Sequence, residues 1–354
     1  MEQHELNLSK IPAPLLLWYG QNARALPWRE SSDPYRVWVS EIMLQQTRVE
    51  AVRAYYSRFL AAFGDIGALA GADDERLLKL WQGLGYYSRA KNLKKAAQMV
   101  MENFGGQFPR RYEDIRRLPG IGDYTAGAIS SICFGAKRAA VDGNVLRVYT
   151  RLAADFSDIS SPAFKKEVAT RLEAVMPQNA CGDFNQALME LGATVCCANS
   201  APKCEACPLA GLCRARALGV TSRLPVKPEK KARKVEPVTV LVLVCQGRLA
   251  IKKRPAKGLL ANLWELPNGP GELSAKQAEE VCAAWGAVPQ SVSPLGPARH
   301  VFTHIVWEMQ GFCIICGEMP PDFVWASPEE LQKQYSLPSA FRPYLESFLA
   351  TAKK

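Results

Sequence analysis

The sequence has no run of about 18 apolar residues, the length a helix needs to cross a bilayer. Its first ten residues, MEQHELNLSK, hold no apolar leader segment. A soluble protein is therefore expected, and the compact start without a targeting extension reads as that of a bacterial cytoplasmic, nucleoid-associated protein. The cysteine count is odd, 11, which argues against a disulfide framework and for a reducing compartment. Internal repeats and low-complexity tracts are also missing, so ordinary folded domains are expected.

What is present divides in two. A length of 354 residues is a prior for two domains, and with 48% hydrophobic residues each half can bury a core. The net charge of +10 favours a polyanionic partner without naming one. From about residue 10 to 216 the pattern is helical, with apolar residues three and four apart in Val37-Trp38-Ile42-Met43, Leu77-Leu78-Leu80-Trp81 and Phe184-Leu188-Leu191. Stops fall at Gly64, Gly105-Gly106, Pro109 and Pro177. A basic, proline-punctuated stretch, RLPVKPEKKARKVE, then reads as a linker. Beyond it, VTVLVLVCQGRLAIKKR predicts a hairpin turning at Gln246-Gly247, and His300–Cys316 predicts another strand. Helices are expected around Ala275–Trp285 and Glu329–Lys333. The division is thus 1–216, helical; 217–236, linker; 237–354, a smaller α+β domain.

Three motifs carry chemistry. In LPGIGDYTAGAI (118–129), Gly120 and Gly122 flank Ile121 in a tight turn, with a second helix beginning near Asp123. Glycine lets backbone approach a bulky partner, and amides at a helix N-terminus present donors to an anion such as a DNA phosphate. A lone GIG is equally an ordinary turn; its surroundings favour a DNA-binding helix–hairpin–helix. In VDGNV (141–145) an aspartate precedes a helix carrying Arg147 and Arg151, which suits an N-cap and also an acid at the mouth of a cleft. Finally, Cys196, Cys204, Cys207 and Cys213 follow the pattern C-x7-C-x2-C-x5-C. Four thiolates in one short loop suit a metal or an iron–sulfur centre, zinc being one choice. Cys197 adjoins Cys196, and either serves as first ligand.

LPGIG, then VDGNV, then a four-cysteine loop resembles the endonuclease III superfamily of DNA glycosylases. LPWRE (26–30), SEIMLQQTRVE (40–50), GLGYYSRA (83–90) and FNQALMELGA (184–193) resemble its MutY-type adenine glycosylases specifically. The resemblance spans both halves. It implies a multidomain fold, an all-α helix–hairpin–helix glycosylase domain with an iron–sulfur loop followed by an α+β Nudix-like domain. It implies a reaction too: hydrolysis of the N-glycosidic bond of adenine mispaired with 8-oxoguanine or guanine in double-stranded DNA, by a monomer with no membrane partner.

An oxocarbenium-like transition state wants one protonated carboxyl and one carboxylate. By the resemblance Glu41 is the acid, its pKa raised by burial beside Leu44 and Trp28. Asp142 then stabilises the sugar cation, with Tyr124 and Asn144 assisting. Tyr124 stands where strand-nicking relatives hold a Schiff-base lysine, a chemistry a phenol lacks, so a monofunctional enzyme is implied. Extrusion of the base assigns Gln46 and Tyr86 to the lesion pair, while Gln45 faces elsewhere on its helix. Trp28, Arg29, Leu44 and Glu190 are assigned to the adenine pocket. The cysteines imply a 4Fe–4S cluster that holds a basic loop (Lys203, Arg214, Arg216) against phosphate. The commonest family spacing starts at Cys197, whereas register counted from Glu190 favours Cys196. Residues 258–290 lack the glutamate-rich helix of a Nudix hydrolase, having only Glu265, Glu272, Glu279 and Glu280, so recognition is the expected role there. Phe302, Thr303 and His304 match the family's F-S-H loop facing 8-oxoguanine, with threonine in place of serine.

Overall fold

A computed structural model describes residues 7–229 and 232–351. The leader reading on residues 1–6 lies outside the described residues, as do Lys230 and Lys231 of the basic segment. Among the described residues no helix is long and apolar enough to cross a membrane.

The chain forms two compact units, residues 1–71 with 91–229, and residues 72–90 with 230–354. The second therefore takes a short segment from within the helical stretch of the sequence.

Helices run over Pro12–Asn22 (α1), Pro34–Leu44 (α2), Val49–Ala62 (α3), Ile66–Ala70 (α4), Asp74–Trp81 (α5) and Ser88–Phe104 (α6). Tyr112–Arg117 (α7), Asp123–Phe134 (α8), Gly143–Ala153 (α9), Pro162–Val175 (α10), Cys181–Thr194 (α11) and Arg214–Ala217 (α12) follow. Local chemistry sets their ends. Asp33 caps α2 by accepting from the Arg36 amide at 2.9 Å, with Pro34 in the first turn, where no amide partner is needed. Gly135 closes α8 in the left-handed conformation, φ 65°. The core of the first unit joins α1, α9, α10 and α11 through Leu15, Val148, Leu152, Phe164, Phe184 and Leu188.

The second unit is an α+β layer structure, as the sequence predicts. Its strands are Lys234–Cys245 (β1), Arg248–Lys253 (β2), Trp264–Glu265 (β3), Asn268–Pro270 (β4), Pro289–Val301 (β5), Ile305–Cys316 (β6) and Val324–Ala326 (β7). They order as β3-β2-β1-β6-β5, with β4 on β1 and β7 on β2. β1 and β6 run parallel, Lys234 opposite Ile305 through Val244 opposite Ile315. The predicted hairpin forms: Gln246 and Gly247 both have positive φ, 49° and 72°, the twist that matches two antiparallel strands. β1 starts at Lys234, inside the stretch read as linker.

Ala275–Ala284 (α13) covers one face of the sheet, Ala278 and Cys282 meeting Leu241, Leu243 and Ile314. Pro328–Lys333 (α14) and Arg342–Thr351 (α15) cover the other through Leu331, Tyr344 and Phe348. The long strand β5 was not foreseen. Pro289, Pro294 and Pro297 break the β pattern, and an edge strand with register shifts tolerates them.

Candidate active site

In the first unit, three helix termini converge on two carboxyls. Glu41 lies in the last turn of α2 and is only 6% exposed, with no hydrogen-bond partner for Oε2. An orphaned buried acceptor is costly when charged, so its proton is favoured. Burial accordingly pushes the carboxyl up to about 7; the nearby Asp142 adds to the rise, while the Tyr124 phenol and Arg29 oppose it. Such a group is about half protonated at neutral pH and exchanges its proton readily, which is what a general acid requires.

Asp142 is built differently. It caps α9, with Oδ1 accepting from the Asn144 amide at 2.9 Å and the Val145 amide at 2.8 Å. Its Oδ2 accepts from Asn144 Nδ2 at 2.7 Å. Both oxygens therefore act as acceptors, the geometry of a carboxylate. Burial raises its pKa, and these hydrogen bonds together with the Arg147 charge pull against that rise. Two carboxyls are thus held in opposed environments, one with an oxygen left unpaired and one with both oxygens accepting hydrogen bonds.

Asn144 is itself fixed. Its Oδ1 accepts from Arg147 Nη2 at 2.8 Å, and Arg147 also donates to the Gly192 carbonyl at 2.7 Å and the Cys196 carbonyl at 2.7 Å. Gly192 on α11 makes this packing possible: a Cβ there would stand 2.6 Å from Asn144 Cβ. Tyr124, in the first turn of α8, is half-buried and donates to Met189 Sδ at 3.3 Å; burial, with Glu41 and Asp142 beside it, raises its pKa well above the ordinary value. It is a neutral phenol.

Glu190 on α11 is fully buried, and both its oxygens are taken. Arg24 grips it with two nitrogens at 2.6 and 2.9 Å, and Arg29 reaches it at 2.8 Å. Burial alone would push this carboxyl up, but the bonds from Arg24 and Arg29 hold it below the usual range. The sequence reading placed Arg29 and Glu190 together and missed Arg24, a single arginine that no motif marks. Trp28 is buried, edge-on to Tyr56 at 5.5 Å. Leu44 is half-buried at the end of α2 and the next residue, Gln45, reaches Thr125 at 3.4 Å. Gln46 is exposed, its backbone left-handed at φ 57°.

The hairpin between α7 and α8 carries Gly120 at φ 79°, Ile121 buried, and Gly122 as a helix N-cap without a side-chain bond. The first amides of α8 are therefore left for an external acceptor. Downstream, Cys196, Cys204, Cys207 and Cys213 line one small cavity together with Arg151. Arg151 Nη1 donates to Cys196 Sγ at 3.2 Å, a bond suited to a thiolate. The Cys197 thiol instead donates to the Thr194 carbonyl. The donor set fits a four-thiolate centre with Cys196 as first ligand, although among the described residues no three ligands are closed to metal-binding distance as they stand.

In the second unit, the short loop Val301–Ile305 is pinned by the Phe302 amide on the Ile305 carbonyl at 2.8 Å. Thr303 and His304 are exposed, whereas Phe302 stacks edge-on against His300 at 4.6 Å and Trp307 at 5.0 Å. Tyr86, in the same unit, shares a hydroxyl hydrogen bond of 3.1 Å with Thr303 Oγ1. Glu265 is buried against Arg254 and Asn268, so it is not available to a metal.

Comparison with known proteins gives matches to both units. A model described as "HhH-GPD superfamily base excision DNA repair protein" matches residues 39–177, and a NUDIX domain model matches 239–347. The adenine DNA glycosylase of Homo sapiens is 36% identical over 89% of this chain and 70% of its own length. That of Buchnera aphidicola subsp. Baizongia pistaciae is 37% identical over 72% of each. Among solved structures, a thermostable thymine-DNA glycosylase superposes with a TM-score of 0.53 at 30% identity, covering 58% of this chain and 94% of its own. A trapped endonuclease III–DNA covalent intermediate gives 0.50 at 25% identity, covering 59% and 97%.

Proposed function

Because the chain belongs to the adenine DNA glycosylase family of base excision repair, we propose that it hydrolyses the glycosidic bond of adenine paired with 8-oxoguanine or guanine and leaves the strand intact. The observation that carries this reading is the pair of opposed carboxyls. Glu41, poised near 7, hands its proton to the departing base. Asp142, held as a multiple acceptor, faces the positive charge that grows on the sugar. Asn144 keeps that carboxylate oriented through Arg147. Tyr124 has no amine to form a Schiff base, which supports a monofunctional reaction.

The adenine, turned out of the stack, is received near Trp28 and Leu44, where the Arg24–Glu190–Arg29 cluster stiffens the wall. Gly120, Ile121 and Gly122 hold a phosphate at the start of α8. Gln46, Tyr86, Phe302, Thr303 and His304 meet the lesion pair, and the Thr303 hydroxyl keeps the donor and acceptor that serine would offer. Cys196, Cys204, Cys207 and Cys213 hold a 4Fe–4S cluster. When bound, it ties the loop bearing Lys203, Arg214 and Arg216 in place; no redox step is needed for hydrolysis. The protein acts as a monomer.

Single-turnover assays on duplexes with adenine opposite 8-oxoguanine, guanine or thymine test the reading. Adenine release from the first two, with strand scission only after alkali, is expected. Scission without alkali, or no release from either, refutes it. Equal amounts of iron and acid-labile sulfide in the purified protein are expected, and zinc in their place rules out the cluster.

A further inference from the structure

The turn that carries Tyr86 is an unusual piece of backbone. Gly83 and Gly85 have φ of 103° and 70°, and Tyr86 itself sits at 47°. A left-handed residue with a Cβ is strained and persists only where its surroundings hold it. Tyr86 is also 44% exposed, so burial of its own ring does not hold it.

Arg89 supplies the missing constraint. It lies in the first turn of α6 and is only 7% exposed. Its Nη2 donates to the Leu84 carbonyl at 2.9 Å and to the Gly85 carbonyl at 3.1 Å. Trp81 Nε1 donates to the same Gly85 carbonyl at 3.1 Å, and the Arg89 amide donates to the Tyr86 carbonyl at 2.9 Å. The guanidinium lies 5.3 Å from the Trp81 ring and 5.6 Å from the Tyr86 ring. One flat cation therefore ties down the carbonyls before Tyr86 and lies against the Tyr86 ring. A lysine ammonium lacks the planar fork that does both. All these groups lie in the unit that also holds Thr303.

We propose that Arg89 is a positioning residue: it fixes the left-handed backbone and ring of Tyr86 before DNA arrives, so that Tyr86 and Thr303 meet the base opposite adenine as a preformed pair. The proposal rests on the reading above that Tyr86 contacts the lesion pair. Holding the pair in advance removes an ordering cost from the encounter with the lesion, and so strengthens recognition without touching the chemical step.

The test uses the full chain, with duplexes carrying 8-oxoguanine or guanine opposite a non-hydrolysable 2′-fluoro adenosine for affinity, and ordinary adenine for rate. Arg89→Lys is expected to weaken the 8-oxoguanine complex about tenfold, the equivalent of about 1.4 kcal/mol, and the guanine complex less than about twofold. The saturating single-turnover rate stays within about twofold. In a Tyr86→Leu background, Arg89→Lys adds nothing further, because the group it positions is gone. An unchanged 8-oxoguanine preference in Arg89→Lys, or a fully additive double variant, overturns the proposal. If Tyr86→Leu alone leaves the preference intact, the assignment of Tyr86 falls first; if only Tyr86→Leu abolishes it, Arg89 alone is misassigned. Trp81→Phe, which keeps an aromatic ring, though a smaller one, and drops the second donor to Gly85, serves should Arg89→Lys not fold. It is expected to lower the preference in the same direction, and an unchanged preference there also overturns the proposal.

Discussion

Glu41→Gln separates what this carboxyl does for catalysis from what it costs the fold. In the unfolded chain the group titrates near 4.5, and in the folded chain near 7. Between those values the native state holds a proton that the unfolded state has lost. Its contribution to stability is therefore fully present below about pH 4.5 and is lost as the pH rises through 7. A shift of about 2.5 pK units corresponds to about 3 kcal/mol. Glutamine is neutral throughout, so the variant and the wild type should melt together near pH 4.5. At pH 8 the variant should be the more stable by about 3 kcal/mol, roughly 6–12 °C in Tm for a unit of this size. Adenine release is lost in the variant; in the wild type it should fall about tenfold per pH unit above 7. Paired thermal melts from pH 4.5 to 8.5, with single-turnover rates over the same range, decide the matter. A stability difference that does not change with pH, or a rate that is flat to pH 9, refutes the argument that burial keeps this acid protonated.

Tyr124→Phe removes a group that holds the Glu41 pKa down, so the alkaline limb of the pH–rate profile should move to higher pH; a shift to lower pH contradicts the assignment. Asp142→Asn keeps a good helix cap, so urea midpoints should barely change while adenine release falls by about two to three orders of magnitude. Gly192→Ala forces a Cβ to within 2.6 Å of Asn144 Cβ; a loss of about 1–3 kcal/mol by urea unfolding is expected, together with slower base release because Asn144 orients Asp142. Arg24→Ala leaves buried Glu190 with Arg29 alone, and should cost about 3 kcal/mol in the same assay. A change under about 1 kcal/mol would mean that Arg29 suffices.

The sequence reading and the structure meet most closely where one short segment carries both the pattern and the chemistry. LPGIG announces its own turn, VDGNV its own cap, and the four cysteines come to one cavity, because spacing along the chain sets their geometry directly. The hairpin at Gln246-Gly247 was legible for the same reason. What stayed hidden depends on residues distant in sequence. Arg24 reaches Glu190 across 166 positions, and Arg147 joins Asn144 to Gly192 and the Cys196 carbonyl through bonds no local pattern encodes. The edge strand β5 was hidden by its prolines. The company of α5 was hidden by its own helical periodicity, which says that a face is buried and not which partner buries it.

That company has a consequence for biosynthesis. Glu75 waits for Lys253 and for the indole of Trp264, and the Lys79 amine for the carbonyls of Leu331 and Tyr335, the last 256 positions downstream. At translation rates of about 5–20 residues per second the ribosome needs roughly 13–50 s to deliver those groups. Through that interval Leu77, Leu78 and Trp81, all buried in the finished chain, emerge long before the strands of their own unit exist. The nascent chain thus carries an unclosed apolar segment for most of its synthesis. Holdase chaperones would find their target there, and a ribosome stalled before residue 331 would release a chain whose Tyr86 turn has no anchored base.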